Sequence, residues 1–264
     1  MLTPEFDARV PADGSPDLGP SSKPTLNVCA LIPALNEEDA LPGAVSGLMR
    51  AGVKRVVVVD NGSTDDTANV ALASGAEVVT EPKRGYGAAC LAGIAYLAAT
   101  QPPEVVVFMD GDQSDDPSAI GRLLEPIRTG RADFVVGVRG GVGSEGRNAI
   151  PAHARLGNAL IISAARLLHG TRFRDLGPFR AIRFDVLRSL QMDDRDWGWT
   201  LQMQLRAYHH GVATEEVAVP HRERAEGRSK VSGTISGSLR AGVKMVFTLV
   251  RERIRPTRVP AITS

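Results

Sequence analysis

The sequence predicts a single α/β domain with a mostly parallel central sheet and helices on both faces. Three observations predict it. Short valine-rich runs recur without polar alternation, as in strands buried on both faces. Helical stretches separate them regularly, so successive strands run parallel through crossover helices. Three of the strands run into polar segments, and ligands bind such sheets at their carboxyl edge. With 264 residues, 43% of them hydrophobic, the chain is long enough to bury a large core.

Residues 1–24 hold five prolines (Pro4, Pro11, Pro16, Pro20, Pro24) and little apolar clustering, and read as a disordered tail. From residue 25 to 231 the pattern is that of one folded domain. Strands are expected at 26–32, 55–60, 77–80, 104–110 and 132–138, with helices at 37–50, 65–74, 86–99 and 117–129. Beyond residue 139 the alternation becomes irregular. A helix is expected at 152–168, an extended stretch near 178–183, a helix at 198–210 and a strand at 212–219. Residues 232–264 read as a basic amphipathic helix, to about 254, and a tail. Ile235, Leu239, Val243 and Val246 form its stripe, with Arg240, Lys244, Arg251, Arg253 and Arg255 nearby.

Several classes are set aside. No stretch reaches the roughly 18 apolar residues of a spanning helix, and the start lacks the layout of a secretory signal. Cys29 and Cys90 lie among apolar residues and read as reduced, buried thiols, which makes the cytoplasm the expected compartment. The net charge of +1 conceals an asymmetry. Residues 1–138 carry 10 basic and 19 acidic side chains, residues 221–258 carry 10 basic and 3 acidic. Carboxylates suit a metal and the basic segment suits phosphate; no nucleic-acid partner is expected.

The chemistry concentrates at three strand ends. The first strand enters Pro33-Ala34-Leu35-Asn36-Glu37-Glu38, the second enters Asp60-Asn61-Gly62-Ser63-Thr64-Asp65, and the fourth enters Asp110-Gly111-Asp112-Gln113-Ser114. One such segment is explained by helix capping; three at one sheet edge converge on a site. Asp110 and Asp112, one residue apart past a buried strand, can both reach a hard cation such as Mg2+ or Mn2+. Gly111 between them permits close approach of a substrate. Gly227-Arg228-Ser229-Lys230 has a phosphate-binding composition, although a solvated basic loop looks the same. Trp197 and Trp199 fit either the core or a platform for a sugar. His221 is a candidate phosphate contact; His153, His169, His209 and His210 show no metal spacing.

This ordered set resembles the family 2 glycosyltransferases, of the Rossmann-like GT-A fold. The likeness rests on IPALNEE, VVDNGSTDDT, Lys83-Arg84-Gly85-Tyr86-Gly87, FMDGD, GVR, DLGPFRAIR, WGWTLQMQ and GRSKVSGT, and runs over about residues 26–250. Within that family it is most similar to the polyprenyl- and dolichyl-phosphate mannose or glucose synthases. The resemblance implies an inverting transferase using a nucleotide-diphosphate-sugar donor and a polyprenyl phosphate acceptor. Transfer to a hydroxyl of a soluble acceptor, or nucleotide-sugar binding without catalysis, are the alternatives. It implies that Pro33, Ala34, Asn36, Glu37, Asp60, Gly62 and Ser63 line the nucleotide, with Lys83, Arg84 and Gly85 in the next turn. Asp110 and Gly111 would lie against the sugar, and Asp110 and Asp112 at the metal. Arg139 and Arg155 would face phosphate, and Trp199 the acceptor region. Arg222 or Arg224, with Arg228, Ser229 and Lys230, would form a basic flap, Arg228 and Lys230 meeting developing charge. Asp194 and Asp196 are the candidate bases for a hydroxyl acceptor; an anionic lipid phosphate needs none. Two positions depart from the family pattern. Ser114 stands where a metal-ligating Gln is common, with Gln113 one residue early. Gln202 replaces a frequent Glu, so it can orient but not take a proton. A peripheral position on the inner face of a membrane accords with the basic amphipathic helix.

Overall fold

The structure, a computed structural model, describes residues 26–139, 150–223 and 235–254, with side chains in the last segment from 241 onward. Seven strands form one sheet: β1 (Val28–Ala34), β2 (Arg55–Asp60), β3 (Glu77–Thr80), β4 (Val105–Phe108), β5 (Phe134–Arg139), β6 (Arg180–Arg183) and β7 (Thr214–Val219). Their order is β3-β2-β1-β4-β6-β5-β7. All neighbours are parallel except β6, which runs antiparallel to both β4 and β5. The expected strands all form, β2 and β3 over the expected residues and the others with ends shifted by at most two. β6 brings its amino end to the edge where β4 and β5 end. The segment Asp175–Phe179 therefore joins the polar edge beside Asp110.

The helices are α1 (Leu41–Arg50), α2 (Thr67–Ala73), α3 (Tyr86–Ala99), α4 (Ile120–Arg128), α5 (Ala152–His169), α6 (Phe184–Ser189), α7 (Trp199–His209) and α8 (Ile235–Ile254). A 3-10 turn, Pro117–Ala119, leads into α4, where the Asp116 side chain accepts from the Ser118 N–H. The short α6 was not expected. Alternate residues of each strand point to opposite faces. On one face Ile32, Val58 and Val107 meet Leu41, Leu48 and Leu123. On the other, Leu31, Val57 and Phe108 meet Cys90, Leu97, Trp199 and Met203. Both cysteines are fully buried, and burial pushes Cys29 up to about 12, which keeps it an unreactive thiol. Arg180 is also fully buried in this layer; its guanidinium donates to the carbonyls of Gly177 and Thr200.

A smaller third layer joins α5, α7 and α8 through Ile161, Ala165, Leu201, Leu205 and Leu249. Polar contacts fix α8 there. His169 Nε2 lies 3.0 Å from the Leu249 carbonyl, which only accepts, so His169 donates there. Its Nδ1 then accepts from His209 Nε2 at 2.9 Å. Deeper in, Arg206 donates from Nε and Nη2 to both oxygens of Glu252, each at 3.0 Å, and Gln202 Nε2 donates to Oε1 at 2.7 Å. Glu252 is 2% exposed and Arg206 5%. Burial pushes the Glu252 carboxyl up, but the hydrogen bonds from Arg206 and Gln202, the Arg206 charge and the Arg251 contact together outweigh it and hold it low.

Removing the carboxylate takes away the buried partner of Arg206 and leaves it only the more exposed Asp193, so Glu252→Ala is expected to cost about 3 kcal/mol by urea denaturation. A folded-state value held low means that Glu252 contributes stability above its ordinary value of 4.5 and loses it as pH falls through the folded value. The decline of wild-type stability below that pH should be shallower in Glu252→Gln.

Candidate functional site

The ends of β1 and β2 are tied into one loop cluster. Asn36 has a left-handed backbone, φ 49°; its N–H donates to Ser63 Oγ at 2.9 Å, and its Oδ1 accepts from the Thr64 N–H at 2.8 Å. The Glu37 N–H donates to Thr67 Oγ1, and Asp60 Oδ1 accepts from the Ser63 N–H. Pro33 and Ala34 pair with Val59 and Asp60 across the strands. Asn61, not singled out from sequence, closes the group: its Nδ2 donates to the carbonyls of Glu81 and Lys83, and its Oδ1 accepts from the Gly85 N–H. Arg84 donates to the Gly62 carbonyl at 3.0 Å. The expected nucleotide-side residues of β1, β2 and the turn before α3 thus come together at one edge.

Beside them lies a cavity of about 490 Å³ whose lining includes Asp110, Asp112, Ser114, Arg139, His221 and Arg222. Asp112 is 4% exposed, and its Oδ1 accepts from the Ser114 N–H at 2.9 Å and Ser114 Oγ at 2.6 Å. Tyr86 and Trp197 stack at the wall, centroids 6.3 Å apart. Burial and the Asp110 charge push the Tyr86 phenol well above its ordinary value, so it stays neutral. His221 Nδ1 faces Asp115 Oδ1 at 3.4 Å; the other oxygen of Asp115 is buried without a hydrogen-bond partner. Ile161 of α5 and Met245 of α8 give the cavity an apolar side.

Several expected site residues are placed differently. Trp199 is core, 1% exposed against Phe108, because it opens α7 facing the sheet; Trp197, two residues earlier, reaches the cavity. Gln202 is fully buried, its oxygen accepting from the Asp193 and Asp194 N–H groups and its nitrogen donating to Asp193 and Glu252. It holds a loop and does not face the cavity. Asp194 and Asp196 are drawn to α8: Asp194 Oδ2 accepts from Thr248 Oγ1 at 2.9 Å, and Asp196 pairs with Lys244 at 3.0 Å. Gln113 turns away from the aspartates to donate to the Ala40 carbonyl at 2.7 Å. Gly111 is hemmed by Leu41 and Ile32, so its missing side chain serves packing. Arg139 reaches the cavity already engaged by both oxygens of Asp175, at 2.8 Å each. Arg155 lies exposed on α5, away from the cavity lining. Arg224, Arg228, Ser229 and Lys230 lie outside the described residues.

Residues 29–191 match the description Glycosyl transferase family 2. The chain belongs to that family. Among its relatives is an uncharacterized glycosyltransferase of Mycobacterium tuberculosis, 40% identical over 212 residues, covering 80% of this chain and 93% of that one. An undecaprenyl-phosphate mannosyltransferase of Micrococcus luteus is 32% identical, covering 80% and 90%. A polyprenol monophosphomannose synthase of Mycolicibacterium smegmatis is 31% identical, covering 80% and 83%. In fold the chain is similar to glucosyl-3-phosphoglycerate synthase from Mycobacterium tuberculosis, solved with Mn2+, UDP-glucose and phosphoglyceric acid. The TM-score is 0.71, with 22% identity, covering 88% of this chain and 81% of that one. The GT-A expectation holds, with β6 as the antiparallel member of the sheet.

In this family 2 glycosyltransferase the glycine turn and the 193–198 loop are interlocked. The Ala88 N–H donates to the Arg195 carbonyl at 2.9 Å. A side chain at Gly87 would enter the Asp194 carbonyl, and one at Gly85 the Arg195 carbonyl. Gly87→Ala is therefore expected to displace the loop that carries Trp197. Transfer activity should fall at least about tenfold, with roughly 1–3 kcal/mol of stability lost. Gly121→Ala, in α4 with open space around it, is the control and should leave activity unchanged.

Proposed function

We propose that this glycosyltransferase inverts the anomeric carbon as it moves a sugar from a nucleotide-diphosphate-sugar to a polyprenyl phosphate, with a divalent cation, Mg2+ or Mn2+. The observation that carries the reading is one cavity with Asp110, Asp112 and Arg222 at one side and an apolar wall from α5 and α8 at the other. Such a space suits a charged diphosphate meeting a lipid phosphate. The activities for which the undecaprenyl-phosphate and polyprenol-phosphate relatives are named support the acceptor, and the UDP-glucose complex with Mn2+ supports the donor and a divalent ion.

The donor set fits a hard cation. Asp110 and Asp112 offer carboxylate oxygens, and among the described residues no group of three His, Cys, Asp or Glu encloses an ion. Phosphate oxygens and water would complete the shell. Held by Asp110 and Asp112, such an ion would neutralise charge on the departing diphosphate. The chain's own residues do the rest. Ser114 orients Asp112 through its hydroxyl. Arg222, near Asp116 at 2.7 Å, is available at the rim, and the composition of Arg224, Arg228, Ser229 and Lys230 suits phosphate contact. Asp60 and Glu37 would accept hydrogen bonds from base or ribose. Asp194 and Asp196 face α8, which accords with an acceptor already ionised and needing no base. No described helix is long and apolar enough to cross a membrane. The reading has the enzyme meet its lipid peripherally, at the cytoplasmic face, through α8. The phosphoglyceric acid complex of the structural neighbour favours the rival reading, a soluble acceptor.

Asp112→Asn should lower cation-supported turnover of donor by about 100-fold or more with the circular dichroism spectrum unchanged; undiminished turnover would remove the metal assignment. Asp60→Ala should weaken nucleoside diphosphate binding in calorimetry. Polyprenyl phosphate should accept sugar where the unphosphorylated alcohol does not. Transfer to a small soluble hydroxyl alone would establish the rival acceptor.

A further inference from the structure

One part of the cavity wall is aromatic. Tyr86 and Trp197 both line the cavity, their ring planes 25° from parallel. They come from different places in the chain: Tyr86 opens α3, and Trp197 ends the loop before α7. Neither ring is core. Both are half-buried, whereas Trp199 packs against Phe108 out of reach of solvent.

The two rings are held from several sides. Gly85 and Gly87, on either side of Tyr86, lie so close to the Arg195 and Asp194 carbonyls that no side chain fits. A side chain at Gly198, next to Trp197, would enter Asp194 and Thr248. Gln202 in turn fixes the Asp193 and Asp194 backbone. Glycine turn, loop and α8 are thus pressed together around the pair, which presents it to the cavity already in place. A ligand that meets it pays little to order it. Trp197 also keeps an unused polar group. Its indole nitrogen can only donate, and among the described residues no acceptor takes its hydrogen. Such an N–H in a largely buried ring ordinarily has a partner, so an oxygen acceptor on a ligand suits it.

The surroundings select the ligand. A nucleoside meets the polar cluster at the ends of β1, β2 and β3, and a diphosphate suits the cation side. An isoprenoid chain has no oxygen for the indole N–H. A sugar ring has both surfaces that the pair can use: C–H bonds for the aromatic rings and oxygens for the N–H. Asp110, whose charge acts on the Tyr86 phenol, lies near enough to take a sugar hydroxyl from the same space. We propose that Tyr86 and Trp197 form the subsite for the donor's sugar ring, packing against its C–H bonds while the Trp197 N–H donates to one of its oxygens. This rests on the nucleotide-diphosphate-sugar reading above and deepens it by assigning the residues that hold the transferred group.

The test compares each donor with its own bare nucleotide on the full chain with Mn2+: GDP-mannose against GDP, and UDP-glucose against UDP. The chain has two tryptophans, and Trp199 is buried, so Trp197 should report in the wild type. The better-bound donor should shift tryptophan fluorescence, and its bare nucleotide should not. In calorimetry Trp197→Ala should weaken binding of that donor at least about tenfold and leave the bare nucleotide within about twofold of wild type. Trp197→Phe keeps a ring and loses the N–H. It should keep the wild-type melting temperature and fall between the two in donor binding, which separates a lost contact from a displaced loop. The KM for detergent-dispersed polyprenyl phosphate should not move. Unchanged donor binding by Trp197→Ala, or an equal fluorescence shift from donor and bare nucleotide, overturns the proposal. So does a variant in which only the polyprenyl phosphate KM changes, since the rings would then belong to the acceptor. Failure of both donors and both nucleotides to bind removes the donor reading and the subsite with it. Nucleotide binding with no sugar-dependent change removes the subsite and leaves the donor reading standing.

Discussion

The arrangement depends on one buried carboxylate. Glu252 receives the Arg206 fork and the Gln202 amide in a space closed to water. A buried charge is tolerable only when paired and hydrogen-bonded, and the geometry that satisfies it is narrow. Gln202 spends its other hydrogen bonds on Asp193 and Asp194. The same atoms that seat α8 therefore set the path of the loop whose next residues meet the glycine turn before α3. Helix, loop and turn are one mechanical unit, and Trp197 reaches the cavity at its end.

The sheet divides the labour. β1, β2 and β3 end in loops bonded to each other through Asn36, Asp60 and Asn61, which ties the proposed nucleotide side together through the chain's own hydrogen bonds. β4, β6 and β5 bring Asp110, Asp175 and Arg139 to the next stretch of edge. There the Asp175 carboxylate is held low: burial raises it, but the Arg139 hydrogen bonds and charge win. An arginine so engaged lends the cavity shape more than free charge. On the proposed reading, a bound cation and the other basic residues would carry the electrostatics of phosphate.

Much of the donor half was legible. Val-rich runs such as Arg55–Asp60 have no reading but a buried strand, and β2 and α3 form over the expected residues. The polar strand ends were visible because three of them share an edge. The rest had no local signature. α6 has six residues, too few for helical periodicity to separate from a loop. Glu252 lies 50 residues from Gln202, and nothing in either neighbourhood marks the pair. Trp197 and Trp199 are distinguishable only by where α7 starts, which turns one to Phe108 and the other to Tyr86. The departures at Ser114 and Gln202 were visible, but their meaning needed the partners: Ser114 acts through Asp112, and Gln202 through a carboxylate supplied by α8.

That separation of 50 residues has a consequence for how the enzyme is made. A chain grows from its amino end, so β1 to β4 and their loops can assemble while α8 has not yet been synthesised. Through that interval the Arg206 guanidinium has Asp193 but lacks its buried partner Glu252, and the loop around Asp194 lacks its Thr248 contact. A nascent chain can fold the proposed nucleotide side early, yet the opposite wall waits for α8. Synthesis itself thereby withholds a finished chamber until α8 has emerged.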